Sequence, residues 1–178
     1  MHKETEKTGV KMPTKEEIKE AILDYEVKLA DQLDEASKLW QETFASDELD
    51  PQNVEMARYV ELVRNDLSEK IDNVKSQIET YSRDLAKIEI PKNLPKKNQD
   101  TIQSAIIPLT NSFDTMYSII QEFKVITSSQ SDFDFEMSMD RIQELNTQLI
   151  QQQRNFERTI NKVNGKYGIN DFDYFPNN

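Results

Sequence analysis

The sequence predicts an all-α protein: an elongated, antiparallel four-helix bundle with coiled-coil-like seams. Three observations predict it. Apolar residues recur every three or four positions through most of the chain, and no useful stretch alternates apolar with polar residues. The breaks fall at proline, Asp-Pro and serine-rich clusters. Composition agrees. Of 178 residues, 36% are hydrophobic, 31% are charged and 3 are glycine, which suits long water-facing helices better than a thick globular core. Helices of roughly 30–38 residues would run about 45–57 Å. None can bury its stripe alone, and short connections favour antiparallel neighbours. A long helical hairpin completing its core by dimerisation satisfies the same seams, so the oligomeric state stays open.

Residues 1–13 are polar, end in Met12-Pro13 and read as a flexible arm. A single bundle then occupies 14–168. Thr14-Lys15-Glu16-Glu17 has the capping-box pattern, in which Thr14 and Glu17 satisfy each other's free backbone N–H groups. From there Ile18, Ile22, Tyr25, Leu29, Leu33, Ala36, Trp40 and Phe44 share one face, predicting a helix over 15–45. It stops at Ser46-Asp47-Glu48-Leu49, and Asp50-Pro51 starts the next helix. Over 51–89, Val60, Val63, Leu67, Ile71, Val74, Ile78, Tyr81, Leu85 and Ile88 form a heptad seam read as unbroken. Pro91 and Pro95 end it.

The third helix, 97–127, carries Ile102, Ile106, Leu109, Phe113, Met116, Ile120 and Phe123, with a kink expected where Pro108 deprives the Ser104 carbonyl of its partner. Thr127–Ser131 is a turn rich in N-caps. The fourth helix, 132–165, uses Ile142, Leu145, Leu149, Phe156, Ile160, Val163 and Tyr167, its seam interrupted at Gln152 and Gln153. Gly165 or Gly168 ends it, and an aromatic acidic tail, 169–178, follows.

Composition also excludes chemistry. Cysteine is absent, which removes disulfides, thiolate nucleophiles and iron–sulfur or Cys-ligated zinc sites. The single histidine, His2, lies in the arm, so di-metal bundles built on inward Glu-x-x-His pairs have no ligands. Asp132-Phe-Asp134-Phe-Glu136-Met137 starts like a calcium loop. However, Met137 stands where the loop needs Gly, and Gln143 replaces the closing Glu. Acids at a helix start complement its dipole and account for the run. With glycines only at 9, 165 and 168 there is no phosphate-cradling loop. The sequence therefore predicts no catalytic residue, no metal site and no cofactor.

A net charge of −11 repels phosphate backbones and argues against nucleic acid as a partner. The charge is uneven: 16–50 holds twelve acids against three lysines, whereas 83–97 holds five basic residues against two acids. These are solvated faces in the plain reading. In the sharper one, Lys92, Lys96 and Lys97 meet an anionic polymer or lipid headgroups. Trp40 and Phe44, one turn apart, read as packing at the bundle end. Phe172, Tyr174 and Phe175 need burial somewhere. The expectation is that they fold back over the bundle's open end; the alternative is a docking peptide for a protein partner.

Three stretches resemble a helical family of Gram-positive cell-wall-binding lipoproteins: Ile71–Glu79, Phe113–Phe123, and Asn155–Asn164 leading into Tyr167. The resemblance implies a non-catalytic, surface-tethered envelope protein whose partner is a protein or an envelope polymer. It assigns no residue a role, and the lipidation cysteine of such proteins is absent here. No apolar run approaches a membrane span, and the N-terminus lacks the apolar centre of a signal peptide. The expected setting is extracytoplasmic and membrane-anchored if a leader is removed, and cytoplasmic otherwise. The functional expectation is a helical binding module. Its alternatives are a cytoplasmic coiled-coil adaptor and a sensor taking a small ligand between helices near Pro108.

Overall fold

In the computed structural model the described residues are 12–44, 55–128 and 132–173. Among them the chain is all-α: α1 (Lys15–Phe44), α2 (Met56–Leu62), a π-helical turn (Val63–Leu67), α3 (Ile71–Ala86), α4 (Lys96–Ser128) and α5 (Asp132–Lys166). The helix stop at Ser46–Leu49, the Asp50-Pro51 start, most of the polar arm, and Tyr174 and Phe175 lie outside the described residues.

The start of α1 is held by its capping box. The Glu17 N–H donates to Thr14 Oγ1 at 3.1 Å, and the Thr14 N–H donates to Glu17 Oε1 at 3.4 Å. Thr14→Ala is expected to cost about 1 kcal/mol, measured by chemical denaturation. From the cap, α1 buries Ile18, Ile22, Tyr25, Leu29, Leu33 and Ala36, the stripe its periodicity predicts.

The second rod differs from the unbroken helix expected over 51–89. Between α2 and α3 the ladder widens into the π turn and then passes through a turn at 68–70. The seam itself contains the reason. Val63, Leu67 and Ile71 are separated by two successive four-residue steps, each of which rotates an α-helical stripe by roughly 40°. The wider π turn absorbs that drift, and all three residues stay buried. Downstream, Val74, Ile78 and Leu85 continue the seam into the core.

The connection to α4 is short and tied down. Leu94 is buried, and the Gln99 side-chain amide donates to the carbonyls of Leu94 (2.7 Å) and Lys92 (3.2 Å). α4 then runs without interruption through Pro108. Ser104, whose carbonyl Pro108 cannot satisfy, lies on the exposed side, where water can take that acceptor. α4 is the central helix. Besides the predicted stripe it buries Ala105, Ser112, Thr115, Ile119 and Ile126, because it packs against α5 on one side and against α3 and the π turn on the other.

Cross-contacts set the directions. Lys124 near the end of α4 pairs with Asp72 at the start of α3 at 3.1 Å, and Arg141 early in α5 pairs with Glu122 of α4 at 3.1 Å. At the opposite end, the Asn98 side-chain amide donates to the Tyr167 hydroxyl. The rods therefore alternate in direction: α1, then α2–α3, then α4, then α5. α1 packs on α3, reaching α4 through Phe44 on Phe123 and α5 through Glu26 on Asn164. Leu67, Ile78 and Leu149 are buried and Ile106 is half-buried, as an all-α bundle requires. No helix among the described residues is long and apolar enough to cross a membrane.

α5 ends in a Schellman motif. The Ile169 N–H donates to the Asn164 carbonyl at 3.0 Å, and Gly168 takes φ of 65°, a left-handed conformation that costs glycine nothing. The reversal turns residues 169–173 back along the bundle.

Candidate functional site

Three helices fail to close around a cleft of about 400 Å³, lined by α1, α4 and α5. Small side chains form part of its wall: Ala36 and Ser37 of α1 and Ser112 of α4. Trp40, Phe44, Phe113, Met116, Phe123 and Leu149 line much of the remaining wall. The aromatic rings form a continuous series. Trp40 tilts against Phe44 with centroids 4.5 Å apart, and Phe44 stacks on Phe123 at 4.9 Å.

Polar groups in this wall are all neutral: Ser37, Gln41, Ser112, Asn146 and Gln153. The Ser112 hydroxyl is committed to the Leu109 carbonyl at 2.6 Å. Among the described residues no ionisable side chain lines the cleft, in a chain where nearly a third of residues are charged. Such a wall offers apolar area, aromatic faces and a few amide or hydroxyl handles. It presents no general acid or base and no activated nucleophile. Its volume lies within the range of small-molecule sites between bundle helices.

Trp40 and Phe44 are thus only half-buried, packing with each other while facing the cleft. The glutamines read as a break in the fourth seam have distinct placements. Gln152 accepts a hydrogen bond from the Thr115 hydroxyl at 2.8 Å, tying α5 to α4, while Gln153 faces the cleft. The cleft begins about one turn beyond Pro108, at Ser112 and Phe113.

The three candidate lysines lie in the loop before α4 and in its first turn. All are exposed. Lys92 lines a depression shared with Glu17, Glu20 and Asp24 of α1, together with Lys28 and Glu89. Lys96 and Lys97 sit in the first turn of α4, where a positive charge opposes the helix dipole.

Phe172 is placed inside, not on a docking surface. It is buried and meets Phe156 edge-on, with centroids 5.5 Å apart at 90°. Asn161 holds its backbone from both sides. The Phe172 N–H donates to Asn161 Oδ1 at 2.6 Å, and Asn161 Nδ2 donates to the Phe172 carbonyl at 3.3 Å. The Asn161 side chain thereby takes the place of a neighbouring strand for this one residue.

A further group escaped the sequence reading. Glu26, counted there among the solvated acids of α1, is only 7% exposed, and Asn164 of α5 is 0% exposed. Asn164 Nδ2 donates to Glu26 Oε1 at 2.8 Å. Burial lifts the Glu26 carboxyl from its ordinary 4.5 to about 7, against the opposing pull of the Asn164 hydrogen bond. Glu26 Oε2 and Asn164 Oδ1 are buried and have no partner. The legible signal was position: Glu26 lies one turn from Ile22 and one from Ala30, within the apolar stripe. The other buried orphans among the described residues are Nε and Nη2 of Arg64, in the π turn.

No family profile, curated protein or solved structure matches this chain.

Proposed function

We propose that this chain is a non-catalytic helical binding module that takes a neutral, largely apolar ligand into the cleft between α1, α4 and α5. The observation that carries this reading is the aromatic wall of that cleft, uncharged among the described residues, in an acidic, highly charged protein. Burying an ionic ligand there would leave its charge unpaired at high cost. An apolar body with one amide or hydroxyl group would instead find aromatic faces and neutral polar partners. The setting proposed is the cell envelope. Support for it is the resemblance in Ile71–Glu79, Phe113–Phe123 and Asn155–Asn164, whose apolar positions build the core of α3, α4 and α5. Those positions explain a shared fold rather than a shared ligand.

Trp40 is the only tryptophan and stands in the cleft wall, so its fluorescence reports occupancy directly. Titration with the neutral dye N-phenyl-1-naphthylamine is expected to quench Trp40 by energy transfer and saturate at one dye per chain. Ser37→Phe fills the cleft from its α1 side and should weaken binding by at least about tenfold, roughly 1.4 kcal/mol. Lys92→Glu should leave binding unchanged. Equal affinity in wild type and Ser37→Phe would place the dye elsewhere and reject the cleft.

A further inference from the structure

The buried Glu26–Asn164 pair lies beside the segment that closes this end of the bundle. Glu26 and Leu23 of α1, with Lys19, form one wall of a depression whose other wall is the returning segment Gly168–Asp173. Asn164 joins the two. Besides Glu26, its Nδ2 approaches the Asn170 carbonyl at 3.3 Å and Asn161 Oδ1 at 3.5 Å, and Asn161 in turn grips Phe172.

A carboxylate and a carboxamide are both planar and can face each other through two parallel hydrogen bonds. One bond is present, from Asn164 Nδ2 to Glu26 Oε1. The two oxygens left over, Glu26 Oε2 and Asn164 Oδ1, are both acceptors, both buried and both unpaired. Two acceptors cannot satisfy one another. A single proton on Glu26 Oε2 supplies a donor for Asn164 Oδ1 and removes both deficits together.

We propose that Glu26 is a proton-operated latch for the C-terminal strap: its neutral carboxyl closes a two-bond ring with Asn164 that keeps residues 169–173 docked, and loss of the proton releases them. Burial sets the direction, against the pull of the Asn164 hydrogen bond. The charged groups that line the same depression are Lys19 on α1 and Asp171 and Asp173 on the strap. From α5 the carboxyl meets only the neutral amide of Asn164. Ionised Glu26 would hold a buried charge with a single hydrogen bond and leave Asn164 Oδ1 without a donor. Displacing the strap admits water and relieves both costs. Burial that raises the carboxyl to about 7 puts the transition in a physiological range.

The sign is fixed by linkage. The docked state holds its proton more tightly than the open state, so docking is favoured at acidic pH and lost as pH rises through about 7. Two measurements on the full chain test this. The carbon-13 shift of the Glu26 carboxyl, followed by NMR in wild-type protein, is expected to titrate with a midpoint near 7. Exchange protection of the Phe172 amide, corrected for the intrinsic pH dependence of exchange, should fall at least about tenfold between pH 5.5 and 8.5, as one pH unit of proton linkage produces. In Glu26→Gln, whose amide supplies the second donor at every pH, that protection should be high and flat. A Glu26 midpoint near 4.5 would overturn the proposal, even if the variant failed to fold. So would a wild-type-like fall in protection in Glu26→Gln.

Discussion

Phe156→Ala is expected to lower the stability of the folded chain by about 3–5 kcal/mol, the range for truncating a fully buried phenylalanine. Phe156 has no exposed surface and lies in the seam of α5. Its ring also receives the edge of Phe172, so truncation opens a cavity and removes the aromatic contact that seats the strap. The loss would consume a large fraction of the roughly 5–15 kcal/mol by which a domain is ordinarily stable. Urea denaturation monitored by far-ultraviolet dichroism measures it as a fall in midpoint at unchanged slope. Phe172→Ala should cost less, because the strap can shift toward solvent and collapse the void. A change below about 1 kcal/mol for Phe156→Ala would contradict its burial.

Glu26→Gln is expected to stabilise the protein at alkaline pH while leaving it almost unchanged in mild acid. The folded chain keeps the Glu26 proton up to about 7, whereas the unfolded chain releases it near 4.5. Between those values the folded state binds more protons, so the Glu26 contribution is complete below about 4.5 and drains away as pH rises through 7. The gap corresponds to about 3 kcal/mol. Glutamine preserves shape and both hydrogen bonds without a titrating proton. At pH 8.5 the melting temperature of Glu26→Gln should therefore exceed that of wild type by about 6–12 °C. At pH 4.5 the two should nearly coincide. Equal melting temperatures at both pH values would mean that Glu26 titrates alike in the folded and unfolded chain.

Much of this molecule could be read directly from residue spacing. Ile18 to Ala36, Val74 to Leu85, Ile102 to Phe123 and Ile142 to Val163 recur at helical intervals, and those side chains are the core. The capping box at Thr14 and Glu17 was equally plain, because both partners lie within one turn. Even the π turn was latent in the doubled four-residue step from Val63 to Ile71. A uniform heptad seam alternates steps of three and four, so two fours in succession mark where it must adjust. The fates of Trp40, Phe44 and Phe172 were not legible in the same way. A half-buried aromatic on a stripe has the same spacing whether it meets a well-packed neighbour or the cleft that Ala36, Ser37 and Ser112 also line.

What the sequence determined alone is the class and direction of the fold: apolar stripes of period near 3.6, broken by proline and polar clusters, admit only rods packed lengthwise. Only the tertiary structure decided where those rods leave space and where they trap charge. Small residues 76 positions apart, Ala36 and Ser112, come to line the same cleft. Glu26 changes from a solvated acid to a buried partner of Asn164, its proton held more tightly, because a helix segment 138 residues downstream lies across it. Local spacing reports which face of a helix is apolar; burial, and with it dielectric and protonation, depends on what the rest of the chain lays against that face.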